Sequence, residues 1–256
     1  MGGFQGLTVI LPAVNETTSL KKTVEEIFRV CDSADLHELI LATADFATPA
    51  CRAVCDEIQK NNSAPVPVRV YVQTGPFEDA IRDLTALLSG SHFIYQPTDL
   101  EEDPSLLAEV IRLAKQHPDA VISGSRRRSL QGFSGFSPAR RALYGAWRLL
   151  FSALYGGGVT DSTLLYRCMP SAPAKRIVLN AGSYAVLFEL FVKLLRMGVP
   201  VIEFPVEMGR RAEGASSTRF FSDGLRYARV LFAVRFTPVN KFLRPSADEA
   251  EKEADL

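Results

Sequence analysis

Where the apolar run HFIYQP (92–97) ends, four carboxylates fall within five residues: Asp99, Glu101, Glu102 and Asp103. Acidic groups so close together repel one another unless a cation sits among them or a helix begins there. A helix start accounts for Asp103, as an N-cap ahead of Pro104, and for Glu102, because the partial positive charge of a helix N-terminus favours carboxylates. Asp99 lies nearer the strand end, where an oxygen ligand faces the cleft. Asp99 and Glu101 flank Leu100 and are the pair able to share a hard divalent cation, Mg2+ or Mn2+, of the kind that bridges phosphates.

Two further stretches are basic. From Arg126 to Arg148 there are six arginines (Arg126, Arg127, Arg128, Arg140, Arg141 and Arg148) and no acidic residue. Arginine suits bidentate recognition of phosphate, and here it alternates with GFSGF and an aromatic helix; the other reading is a solvated face, and the residues leave both open. Residues 219–244 set Arg219, Arg226, Arg229, Arg235, Lys241 and Arg244 against one acid, Asp223. Phe220, Phe221, Leu225, Tyr227, Leu231, Phe232 and Phe236 are interleaved with them. A helix of this kind either packs on its domain or lies in a bilayer interface.

The elements that must position these groups read as strand–helix alternation. LTVILP (7–12), ELILATA (38–44), VRVYVQ (68–73), HFIYQP (92–97) and AVISG (120–124) are short apolar runs, and the first four lead into segments of helical period. Those helices fall at about 16–31, from 48, at 76–88 and from 103. Continuous apolar strands followed by helices indicate an α/β fold with a mostly parallel central sheet covered on both faces. Ligands of such sheets bind beyond the carboxyl ends of the strands. A later helix (183–198) ends in a capping glycine, and VPVIEFPVEM (199–208) reads as a strand.

Composition narrows the class. The chain has 256 residues and a formal net charge of zero, which suits one large domain and argues against wholesale nucleic-acid binding. Cys31, Cys51, Cys55 and Cys168 form no CxxC pair; Cys51 and Cys55, one helical turn apart, read as small buried residues in a reducing cytoplasmic compartment. The N-terminus lacks the basic start and apolar run of a secretory signal. No stretch reaches the roughly 18 to 20 apolar residues of a spanning helix. ALYGAWRLLFSALYGGGV (142–159) is interrupted by Arg148 and a glycine run. GxGxxG and Walker patterns are absent.

In order along the chain, VILPAVNETTSL, QTGPFEDAIRDLTALLSGSHFIYQPTDLEEDP, AVISGSR, GVTDSTLLYR and FELFVKLLRMGVPVIEFPVEMGRRAEG resemble the motifs of family 2 glycosyltransferases. The likeness is to the branch of dolichol-phosphate mannose synthase and related polyprenyl-phosphate sugar transferases. That resemblance implies a GT-A fold and transfer of a sugar from a GDP- or UDP-linked donor to a polyprenyl phosphate. Such a protein would sit peripherally at the cytosolic, inner face of the membrane. Carried over residue by residue, it implies Asp99 and Glu101 as ligands of Mg2+ or Mn2+. Pro12, Val14, Asn15, Glu16, Asp45 and Gly75 would bind the nucleotide sugar, and Arg126, Arg140, Asp161 and Ser216 the acceptor. Asp99, Arg126 and Arg211 would be the catalytic set. Residues 1–208 would form the transferase domain, 209–244 a basic loop and amphipathic membrane-surface helix, and 245–256 an acidic disordered tail.

The sequence departs from the family pattern at defined places. Thr43 and Ala44 stand where the second strand usually ends in paired aspartates. Pro97 replaces the first aspartate of the metal motif, and Glu101 its glutamine. Ser217 stands for a lysine, and Leu164–Leu165 for a Ser-Gly pair. These changes keep a second class open: a catalytically idle relative that binds a lipid head group or a partner enzyme.

Overall fold

Alternation within each apolar run decides which residues meet which layer of helices. The computed structural model describes residues 3–131, 133, 136–209, 212 and 220–244, with backbone alone at 220–223. In β1 (Leu7–Pro12), Leu7, Val9 and Leu11 point into one core and Ile10 into the other. β2 (Leu36–Ala44) repeats this with Leu39 and Leu41 against Ile40. The first core is closed by α1 (Thr18–Val30), α2 (Pro49–Lys60) and α4 (Leu106–Gln116), which contribute Leu20, Ile27, Cys51, Cys55 and Val110. The second is closed by α3 (Phe77–Leu87), α5 (Pro138–Tyr155), α7 (Ala185–Arg196) and α8 (Phe220–Phe236). All four cysteines are buried, and none is in a disulfide.

With β3 (Val68–Gln73), β4 (His92–Tyr95), β5 (Val121–Ser125), β6 (Arg167–Pro170) and β7 (Val201–Pro205), the strands form one seven-stranded sheet in the order β3-β2-β1-β4-β6-β5-β7. Pairings are parallel except for β6, which runs antiparallel to both β4 and β5. That reversal has a geometric consequence. Residues that lead into β6 arrive at the edge where β4 and β5 end, so Asp161 comes beside Arg126. A short helix, α6 (Ser171–Lys175), follows β6.

Local boundaries follow capping chemistry. Thr48 caps α2, its side-chain oxygen accepting from Cys51 N–H, with Pro49 opening the helix. Gly198, at φ +82°, ends the turn after α7, as its position after the apolar period predicts. The acidic stretch differs from expectation. Asp103 Oδ1 accepts from Ser105 N–H at 2.9 Å and its carbonyl from Leu106 N–H at 3.0 Å, so a turn intervenes and α4 starts at Leu106. Asp103 therefore caps that turn and not the helix itself.

β5 carries a glycine because there is no room for more. A Cβ on Gly124 would lie 2.7 Å from Val206 Cγ2 and 3.1 Å from Leu164 Cδ2. Gly124→Ala is expected to destabilise the chain by about 1–3 kcal/mol through overpacking. The check is urea unfolding: the midpoint falls while the slope stays constant, and an unmoved midpoint would show that Val206 and Leu164 yield freely.

α8 divides its faces. Leu231 and Val234 are buried and Tyr227 stacks on Phe188 of α7 at 4.8 Å between ring centroids, while Tyr155 of α5 donates from its hydroxyl to Leu231 O at 2.8 Å. The opposite stripe, Leu225, Arg229, Phe232 and Phe236, recurs at helical spacing and is exposed, Phe236 to 73%. Among the described residues no helix is long and apolar enough to cross a membrane.

Candidate active site

Loops beyond the carboxyl ends of the parallel strands are tied to one another at a single edge. Thr48 N–H donates to Val14 O, Asp45 N–H to Gln73 O, and Thr98 Oγ1 to Pro12 O at 2.5 Å. In the first loop the carboxylate of Glu16 accepts from Val14 N–H and Asn15 N–H at 2.9 and 3.0 Å. Glu16 therefore holds the turn's shape, and Asn15 is left exposed. Asp45 and Gly75 are exposed on the neighbouring loops. Five of the six residues expected to bind the donor thus lie on three adjacent loops, and the sixth, Pro12, ends β1.

After β4 the chain makes a tight turn. Asp99 Oδ1 accepts from Glu101 N–H at 3.0 Å, and Leu100 between them adopts φ +63°, a left-handed conformation uncommon for a side chain of this size. The segment after β7 is laid against this turn. Gly209 N–H donates to Glu101 O at 2.7 Å and Ala212 N–H to Asp99 O at 2.8 Å. A Cβ on Gly209 would stand 3.0 Å from Leu100 O, so the approach requires glycine. Leu100 and Glu101 also border an open cleft of about 710 Å3, whose far wall includes Lys22 and Arg29 of α1.

Asp99 is 8% exposed, and so is Glu102 beside it. Burial, then the neighbouring charges of Glu101 and Asp99, push the Glu102 carboxyl up to about 8. Burial disfavours charge of either sign, and only the part of the shift due to Glu101 and Asp99 is a negative potential that favours a positive charge. Of the two acids expected to share a hard cation, Glu101 borders the cleft, while Asp99 is buried with its Oδ1 on the Glu101 amide; both offer the carboxylate oxygens that such an ion takes. Among the described residues no group of three or more His, Cys, Asp or Glu forms a closed metal cage.

Across β4 and β6 lies the arginine side. Arg126, the first residue of a 3₁₀ turn after β5, is only 6% exposed. Its Nε donates to Asp161 Oδ2 at 2.7 Å, its Nη2 to Asp161 Oδ1 at 2.9 Å and to Thr163 Oγ1 at 2.7 Å, and its backbone N–H to Asp161 Oδ2 at 3.1 Å. Burial alone would raise the Asp161 carboxyl, but the hydrogen bonds and charge of Arg126 outweigh it and hold the group below its ordinary value. For Arg126, burial pulls down and Asp161 more than restores the charge. The sequence-predicted residues Arg126 and Asp161 are thus each other's partners. Rings of Phe133 and Tyr144 lie 5.5 and 5.2 Å from the Arg126 guanidinium, and Arg140 sits 3.8 Å over Phe136. Arg127 and Arg148 edge a narrow pocket between α5 and the 159–163 loop, where Trp147 Nε1 donates to Ser162 Oγ at 2.9 Å.

Arg211 and Ser216 lie outside the described residues. Two residues of this region fell inside the quoted motifs but were given no role. Glu203 of β7 has a side chain 1% exposed, and Arg167 of β6 is buried with its guanidinium 3.9 Å from the Phe191 ring centroid. Burial pulls Arg167 down to about 10. The available signal was a lone charge inside each of two apolar runs, LLYRCMP and VIEFPV, since charges are rarely buried unless paired.

Residues 8–181, more than half of the chain, match the family model described as Glycosyl transferase family 2. Among solved structures, similarity is found to glucosyl-3-phosphoglycerate synthase from Mycobacterium tuberculosis in complex with Mn2+, UDP and phosphoglyceric acid. The TM-score is 0.64 at 15% identity, over 91% of this chain and 80% of that one. The same protein with Mg2+ and UDP gives 0.64 at 15% identity, again over 91% and 80%. With Mn2+, UDP-glucose and phosphoglyceric acid it gives 0.63 at 15% identity, over 91% and 81%. At this identity the likeness speaks for the fold, which is the GT-A-like arrangement of a mixed, mostly parallel sheet flanked by helices.

Proposed function

The chain belongs to glycosyl transferase family 2, and on that premise we propose that it moves a sugar from a GDP- or UDP-linked donor to a polyprenyl phosphate. The protein works peripherally, at the cytosolic face of a membrane. The observation that carries this reading is the surface made by α5 and α8. α5 presents Arg148 beside the Asp161 loop, carries Arg140 over Phe136 and exposes Leu143 and Leu149; α8 exposes Leu225, Arg229, Phe232 and Phe236. Aromatic and apolar side chains interleaved with arginine suit an anionic bilayer, which in this reading lies next to the arginine pocket.

In this reading the loops bearing Val14, Asn15, Asp45 and Gly75 seat the nucleoside, and Asp99 with Glu101 would hold Mg2+ or Mn2+. When bound, such an ion supplies charge neutralisation at the donor's diphosphate. An acceptor phosphate oxygen bonds to the sugar's anomeric carbon as the bond from that carbon to the diphosphate breaks, and the nucleoside diphosphate leaves. A phosphate monoester is already anionic at neutral pH, so no strong base is required and orientation dominates. Arg140 and Arg126, with Asp161 fixing Arg126, orient the acceptor; Arg211 and Ser216, which follow β7 in the sequence, complete the set. The domain limits of 1–208, 209–244 and 245–256 belong to the same proposal.

A second reading, a relative that binds without catalysis, draws on Pro97 and Thr43. Neither supplies a carboxylate, and the Thr43 hydroxyl is buried without a hydrogen-bond partner among the described residues. The deciding experiment offers GDP- and UDP-sugars with Mn2+ and a short polyprenyl phosphate to the purified protein. A glycosylated lipid phosphate supports the transferase; Mn2+-independent or absent nucleotide binding by calorimetry, with no transfer, supports the second reading. For the membrane contact, Phe232→Glu with Phe236→Glu is expected to weaken flotation with anionic vesicles at least about tenfold. Unchanged flotation would remove α8 from the lipid surface.

A further inference from the structure

We propose that Glu203 is a positioning residue for the acceptor phosphate, acting through Asp161 on Arg126. This rests on the reading of the Arg126 side as the acceptor side. Glu203 stands in β7 opposite Ser123 of β5, so its carboxylate comes up beneath the loop that leads to β6. Oε1 accepts from Thr160 N–H at 2.8 Å and from Asp161 N–H at 3.1 Å, and Oε2 accepts from Thr160 Oγ1 at 2.6 Å and from Arg128 Nε at 3.2 Å. One carboxylate therefore grips both chain segments that carry the Arg126–Asp161 pair: the 3₁₀ turn through Arg128, and the loop through two successive amides.

The same loop is held from its other side by a cation. Arg167 Nη2 donates to Asp161 O at 3.3 Å and to Ser162 O at 2.8 Å, while its Nε donates to Ser123 Oγ at 3.1 Å. The N–H groups of residues 160 and 161 face an anion, and the carbonyls of 161 and 162 face a guanidinium. Charge alternates along Arg128, Glu203, Arg167, Asp161 and Arg126. Hydrogen bonds to charged partners in a buried setting are strong and directional, so they set where the Asp161 carboxylate stands. Asp161 in turn fixes Arg126 in a bidentate pair, leaving the remaining face of that arginine and the nearby Arg127 and Arg140 in a defined array. Neutralising Glu203 keeps its shape but weakens its hold on four donors at once.

The test uses the full-length protein and its Glu203→Gln variant in two measurements. The first follows exchange of the Arg126 Nε proton by 15N NMR, with the signal assigned through Arg126→Lys. That proton is expected to exchange about tenfold faster in E203Q, whatever the acceptor proves to be. The second measures KM for a short polyprenyl phosphate and for the nucleotide sugar. The acceptor KM is expected to rise about tenfold, with the donor KM changing less than twofold, a split that general loosening of the fold would not produce. Glu203→Asp, which retains the charge but is one methylene shorter, is expected to fall between wild type and E203Q, and it serves in both measurements if E203Q does not fold. Unchanged Arg126 exchange, or donor and acceptor KM rising together, overturns the role of Glu203. Absence of transfer to any lipid phosphate by wild type overturns the functional reading instead, and the exchange measurement then still decides whether Glu203 governs Arg126.

Discussion

Asp161→Asn is expected to lower stability by about 3–5 kcal/mol at neutral pH, because it leaves the Arg126 charge buried without its counter-charge. Arg126 and Asp161 side chains are 7% and 2% exposed, so water cannot substitute for the missing carboxylate. For a chain of this length the loss corresponds to a melting midpoint lower by roughly 6–20 °C. The pH dependence has a definite sign. The Asp161 carboxyl is held below its ordinary 3.8, so its contribution is complete above that value and disappears as pH falls through the lower folded-state value. The difference between wild type and variant should therefore be full at pH 7, persist to about pH 4 and close on further acidification. Paired thermal melts across this range check it; a gap of equal size at pH 7 and well below the folded-state value, or none at pH 7, would sink the account of the pair. Lipid-phosphate transfer should fall with it even where the variant remains folded.

Asp99→Asn is expected to do the reverse: little harm to the fold and a collapse of transfer. Asparagine keeps an oxygen able to accept from Glu101 N–H, so the turn around Leu100 survives. It also removes one of the charges that push Glu102 up, which relieves crowding. The melting midpoint should stay within a few degrees of wild type or rise slightly. Transfer should drop by about 10²–10³, the usual loss when one electrostatic contact to developing charge is removed, and Mn2+ should no longer stimulate nucleotide binding. Transfer that persists undiminished in D99N with its metal dependence intact would end the assignment of Asp99 as the cation's ligand.

Arg126 and Arg140 illustrate how much of the candidate site could be read before any coordinates. Their spacing and type left a phosphate-binding segment and a solvated face both open, and that Arg126 is committed to Asp161 while Arg140 rests on Phe136 depends on contacts 35 residues apart in one case and within one helix start in the other. Glu16 is similar. Its place in a PxxNE turn was visible; that its carboxylate is spent on the amides of Val14 and Asn15 was not. Glu203 was visible as the acid of the late strand motif but had no role, because only the loop folded over it makes it internal and supplies its partners.

By itself the sequence determined the α/β class, because helix and strand periods are local and each apolar run needs a covered partner face. It also determined which strand ends would gather chemistry, since parallel strands put their carboxyl ends on one edge. The tertiary structure decided what is local nowhere: the antiparallel turn of β6, which carries Asp161 to Arg126; the close approach of Gly209 to the Asp99 turn; and the split of α8 into a packed face and an exposed one. Each depends on which surfaces meet across the sheet, and burial of a charge is settled by neighbours distant in the chain.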